Sequence, residues 1–194
     1  VKKTGILGII DSLEIVIRKL SWNPGESSWA NYAISHNYSD TSFEHKKHLV
    51  TKYLEIAQPN TVWDLGANTG IFSRLSSKLG IQTLAFDNDP GAVEKNYRQC
   101  VSENERHLLP LFLDLANPSP GIGWHNHERS SIMDRASADM LFALALLHHI
   151  AITNNVPFEQ IAQFFADLGH WLVIEFIPKS DPQVQQLLAT RDDI

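Results

Sequence analysis

Three aspartates and a pair of histidines stand where apolar runs end: Asp64, Asp87, Asp114 and His148-His149. Carboxylates gathered at one end of a sheet accept hydrogen bonds from ligand hydroxyls and amino groups. A histidine titrates near neutrality, so either imidazole could serve as general base. Between the first two acids lies the turn GANTG, in which Gly66 and Gly70 flank Ala67 and Asn68. Glycine permits a tight turn and close approach of a ligand to the backbone, and asparagine tolerates positive φ. Residues 61–64 are short, apolar and partly β-branched, as a buried strand should be. Phe72, Leu75 and Leu79 follow at helical spacing, with Gly80 placed to end the helix. A second strand, residues 83–86, stops at Asp87. The stretch 61–90 therefore reads as strand, glycine turn, helix and strand ending in an acid, half of a nucleotide-binding α/β unit.

The elements that must position these groups alternate along the chain. Apolar residues from Ile6 to Leu20 recur every three or four positions and predict an amphipathic helix. An aromatic-rich loop with Trp22, Trp29, Tyr32 and Tyr38 follows and is expected to pack onto the domain or lie over its ligand. Residues 1–40 form this extension and 41–194 the core. Thr41-Ser-Phe-Glu44 has the form of a capping box opening a helix that runs to Pro59-Asn60. Asp89 should cap a helix with Pro90 at its first position. Residues 107–113 read as a third strand, and Pro110, lacking a ladder N–H, assigns it to a sheet edge. The Pro- and Gly-rich connection after Asn117 predicts a long loop, with a short helix through 131–135. His125 and His127 lie in it without the companion ligands a metal site needs. The apolar run 139–147 suits a central strand ending at His148. A helix from Pro157 to Gly169, a strand over 171–177 and a helix capped by Asp181-Pro182 complete the pattern of a mostly parallel sheet with helices on both faces.

The segment from Asp64 to Gly70, followed after a helix by Asp87, resembles motif I and the second-strand acid of class I S-adenosylmethionine-dependent methyltransferases. The resemblance implies a Rossmann-like α/β fold with sheet order 3-2-1-4-5. It implies that Gly66, Ala67, Asn68 and Gly70 face the methionine part of the cofactor and that Asp64 helps hold its amino group. Asp87 would accept from both ribose hydroxyls, Asp114 would meet the adenine amino group, and Asn88 and Leu115 would flank the ring. The run LALLHHI resembles the segment beneath the transferable methyl, and IEFIPKSDP, from Ile174 to Pro182, resembles NoeA-like nodulation proteins. The implied activity is methyl transfer to an unidentified, small-molecule or other acceptor, with S-adenosylhomocysteine as product and His148 or His149 as catalytic base. The alternative is a noncatalytic cofactor-binding or scaffold domain. An NAD(P)-dependent oxidoreductase comes third, because Ile71 stands where its GxGxxG fingerprint needs a glycine.

Composition sets bounds on this reading. The 194 residues are 43% hydrophobic and 20% charged, enough for one packed α/β domain. The formal charge of −6 divides into +1 before residue 61 and −7 after it. An acidic core without a basic stripe argues against a nucleic-acid partner. The sole cysteine, Cys100, allows no internal disulfide or thiolate cluster and favours the cytoplasm. No signal-peptide pattern and no apolar run of membrane-spanning length are present. The class I sheet normally adds a sixth and an antiparallel seventh strand, and no sequence remains after the helix opened by Asp181 to form them. The apolar edge WLVIEFI is therefore expected to be covered by residues beyond 194 or by a neighbouring copy. The 194-residue piece is expected to bind cofactor and to methylate poorly.

Overall fold

A computed structural model describes residues 2–23, 39–135 and 137–189. Its centre is a five-stranded sheet of order β3-β2-β1-β4-β5, formed by β1 (Thr61–Leu65), β2 (Gln82–Asp87), β3 (Leu108–Phe112), β4 (Ala138–Ala143) and β5 (Gly169–Ile174). Every neighbouring pair is parallel. The helices are α1 (Lys3–Lys19), α2 (Asp40–Ala57), α3 (Ser73–Ser77), α4 (Pro90–Glu103), α5 (Phe158–Leu168) and α6 (Pro182–Leu188). Parallel strands need crossover connections, and these helices supply them. None of the described helices is long and apolar enough to cross a membrane.

Side-chain alternation divides the core between the two faces. Val62, Met140 and Phe142 pack with Val50 and Leu54 of α2, whereas Trp63, Leu65, Leu141 and Ala143 pack with Ile161, Phe165 and Leu168 of α5. A third cluster joins Ala85 and Leu108 to Cys100 of α4. Pro110 sits in the edge strand β3, opposite Ala85, where its missing N–H breaks no interior ladder. Asp89 and Asp181 cap α4 and α6, each with a proline following.

Several elements depart from the sequence expectation. The strand predicted over 139–147 ends at Ala143, because Ala145 turns to φ 51° and leads into a helical turn that becomes π-helical over His149–Thr153. Leu146 and Leu147 owe their apolar character to packing against the core, which the periodicity could not separate from strand burial. The helix after the glycine turn is one turn long and buries Ser73, Arg74, Ser76 and Ser77, while Leu79 is exposed. The cap of α2 is Ser39, whose Oγ accepts from the N–H of Ser42, rather than Thr41. The fifth strand starts at Gly169, since α5 ends directly in extended backbone. Residues 131–135 form a turn, in which Ser131 donates to Asp134.

Among the described residues, two apolar surfaces stay open. No residue of α1 is buried, and the helix covers neither β5 nor any other described element. Trp171, Leu172 and Ile174 of β5 are exposed. Of the aromatic loop, Trp22 is 53% exposed and its carbonyl accepts from Arg98, whereas Trp29, Tyr32 and Tyr38 lie outside the described residues.

Candidate functional site

Ligands of open α/β sheets lie beyond the carboxyl ends of the strands, where the chain reverses order. At that end a cleft of about 300 Å³ opens beside β1, β2 and β4. Gly66, Asn68, Asp87, Asn88, Asp114, Leu115 and His149 line it, joined by Leu146, Ile150 and Leu187. Asp64, Ala67, Gly70 and His148 do not line it. The first three belong to the framework of the turn, and His148 stands beside His149 without bordering the cleft.

The glycine turn is built by backbone bonds. The N–H groups of Gly66 and Ala67 both reach the carbonyl of Phe86, and Gly70 donates to Ala67, each at 2.9 Å. Gly66, Asn68 and Gly70 take φ of 75°, 50° and 79°. At Gly66 a Cβ would come within 3.0 Å of Leu146 Cδ1, so the glycine keeps the floor of the cleft open.

Asp87 ties this turn to the start of α4. Its Oδ2 accepts from the N–H of Asn68 at 2.7 Å and its Oδ1 from the N–H of Asp89 at 2.8 Å. Each carboxylate oxygen has a further lone-pair direction, so both stay able to accept from a ligand. Burial pushes the Asp87 pKa above the ordinary value, and the two backbone donors only partly oppose it. Asp114 accepts from the N–H of Ala116 at 2.9 Å, a local turn former that also borders the cleft.

Asp64 lies behind the turn, with Oδ2 accepting from Ser73 Oγ at 2.6 Å. Its pKa is pushed up to about 6, chiefly by burial, against the opposing pull of Ser73 and the Lys46 ammonium. Lys46 itself pairs with Glu175 at 2.7 Å and stands 4.4 Å from the ring of Phe72. This bridge from α2 to the end of β5 had no counterpart in the sequence reading.

The two imidazoles lie with centroids 4.1 Å apart, tilted by 43°, and differ in setting. His149 borders the cleft and is held down to about 4 by burial, then by the neighbouring His148. His148 is lowered by burial while Asp181 and Glu175 pull the other way. Both rings are neutral at neutral pH, the form that accepts a proton. His125 and His127 occupy an exposed turn far along the loop. Cys100 is buried and pushed up to about 12, chiefly by burial, which makes its thiol inert.

Sheet order, glycine turn and strand-end acids together define the Rossmann-like methyltransferase fold. The bifunctional kinase-methyltransferase WbdD superposes with a TM-score of 0.53 at 15% identity, over 88% of this chain and 36% of that one. The YcgJ protein from Bacillus subtilis gives 0.50 at 17% identity, over 74% and 55%. No protein-family model matches the sequence. The particular relative is Nodulation protein NoeA of Rhizobium meliloti (strain 1021), 38% identical over 170 residues. The match takes in 87% of this chain and 36% of NoeA, so the chain spans little more than a third of that relative.

Proposed function

We propose that this chain is the cofactor-binding part of an S-adenosylmethionine-dependent methyltransferase. The observation that carries the reading is Asp87, a desolvated carboxylate at the end of β2 that borders the cleft and holds the glycine turn through one oxygen and the start of α4 through the other. Such a group suits the paired hydroxyls of a ribose. Asn88 and Leu115 would flank the adenine, and Asp114 would meet its amino group. Asp64, poorly compensated behind the turn, supplies negative charge toward an ammonium. The residues present therefore fit the cofactor, which when bound supplies an electrophilic methyl on a sulfonium.

Methyl transfer is a direct displacement, so the chain's own contribution is alignment and exclusion of water. His149, neutral and bordering the same cleft, would take the proton of a hydroxyl or amine acceptor. His148 would support it as the adjacent ring, 4.1 Å away between centroids.

Calorimetry with S-adenosylhomocysteine tests the reading. Saturable one-to-one binding is expected, with NAD(P)H giving no heat. Binding of NAD(P)H instead would overturn the assignment.

A further inference from the structure

Arg74 is buried within the first turn after the glycine loop, and its guanidinium reaches the loop, Glu105, and Asn96 and Cys100 of α4. Nη1 donates to the carbonyl of Thr69 at 2.7 Å. Nη2 lies 3.1 Å from Glu105 Oε2 and donates to the carbonyl of Asn96 at 3.3 Å. Both charged side chains are close to fully covered, at 7% and 11% exposure. Desolvating such a pair costs several kcal/mol, so it is weak evidence of stability for its own sake.

Its geometry gives it another use. The Thr69–Gly70 peptide is anchored on both sides, its carbonyl by Arg74 and its N–H by the carbonyl of Ala67. That peptide lies one residue beyond Asn68, which Asp87 holds from the cleft side. A Cβ at Gly70 would sit 2.5 Å from the Asn96 amide and 2.7 Å from Arg74 Nη1, so the loop backbone rests directly on this cluster. Glu105 comes from the connection between α4 and β3 and supplies the countercharge.

We infer that Arg74 is a positioning residue for the ligand-binding turn, holding residues 68–70 in their bound shape through the Thr69 carbonyl, with Glu105 as its fixed counterion. The inference rests on the proposed cofactor and deepens it. A turn held in advance loses less entropy on binding. The effect belongs to the methionine half of the ligand, because Asp87, Asn88, Asp114 and Leu115 serve the nucleoside half without touching Arg74.

The test compares two probes, S-adenosylhomocysteine and adenosine, on wild type, Arg74→Met and Arg74→Lys. Loss of a charged hydrogen bond to the turn should weaken S-adenosylhomocysteine about tenfold in Arg74→Met. Adenosine should change less than twofold. Lysine, which can still donate to Thr69, should recover part of the loss, and it carries the comparison if the methionine variant does not fold. Equal weakening of both probes, or no weakening of either, overturns the inference in favour of a purely structural pair. Hydrogen exchange at the amides of Asn68, Thr69 and Gly70 needs no ligand. It should quicken in Arg74→Met relative to the amides of β1, and unchanged exchange would also overturn the inference. If wild type binds neither probe, the methyltransferase reading fails, while the exchange result still decides the role of Arg74.

Discussion

At the N-terminal end of the sheet, Asp139 accepts the backbone N–H groups of Asn60 and Thr61 at 2.8 and 3.1 Å, and its own N–H donates to Thr61 Oγ1 at 2.9 Å. Those bonds, Asn60's first, hold its pKa below the ordinary value. At the C-terminal end, burial drives Asp64 and Asp87 the other way. The residue type is the same and the sheet is the same. What differs is burial: desolvation outweighs the bonds that Asp64 and Asp87 accept, whereas at Asp139 the backbone bonds outweigh it. Asp139 joins β4 to β1, whereas Asp87 borders the cleft with Asp64 behind it, and on the proposed reading these two would gain from a donor or cation of the ligand. A carboxylate of raised pKa in a cleft is therefore a pointer to a ligand, and one of lowered pKa at the opposite rim is a fastening.

The largest effect should come from His149, the base proposed for the cleft. His149→Ala should slow transfer of a labelled methyl group by about a hundredfold in the whole protein, with S-adenosylhomocysteine affinity within twofold. An unchanged rate would remove His149 from the chemistry and leave that end with binding groups alone.

Next in size is Asp87→Ala, which deletes the bonds from Asn68 and Asp89 and the proposed acceptor for ligand hydroxyls. Calorimetry should show affinity for S-adenosylhomocysteine reduced about tenfold or more. If the affinity held, Asp87 would be a fastening like Asp139, and the contrast between the two ends would collapse.

The smallest and most discriminating effects pair Asp64→Asn with Asp139→Asn in thermal melts and ligand titrations against pH. Asp64 has a folded pKa of about 6 against an ordinary 3.8. Its contribution to stability is thus full below 3.8 and lost as pH rises through about 6, so Asp64→Asn should raise the melting temperature at neutral pH. Ligand affinity in wild type should strengthen through the same window as Asp64 ionises, and the variant should lose that dependence. Asp139, lowered, contributes above its ordinary value and loses that contribution as pH falls through the folded one. Asp139→Asn should therefore lower the melting temperature slightly at neutral pH and leave ligand affinity alone. Matching behaviour of the two variants would refute the distinction.

Local chemistry made much of this architecture legible. Pro110 could occupy only an edge, Asp89-Pro90 and Asp181-Pro182 could open helices, and GANTG with Asp87 had to join a turn to a strand end. Each of these is decided by φ, by a missing N–H or by a cap within a few residues. The cluster around Arg74 was hidden because Glu105 comes from the far side of α4, and the helix was read from Phe72, Leu75 and Leu79 when its buried face is polar. Lys46 and Glu175 are 129 positions apart and meet only when α2 packs beside β5.

The order of elements, the turn and the identity of the acids follow from local sequence, because backbone stereochemistry and hydrophobic periodicity act at short range. Packing between distant segments sets where β4 ends, at Ala143, places His149 and not His148 on the cleft, and shifts Asp64 and Asp139 in opposite directions. Those outcomes depend on burial and on partners from distant segments, and solvent exclusion is a property of the packed chain, which no local pattern encodes.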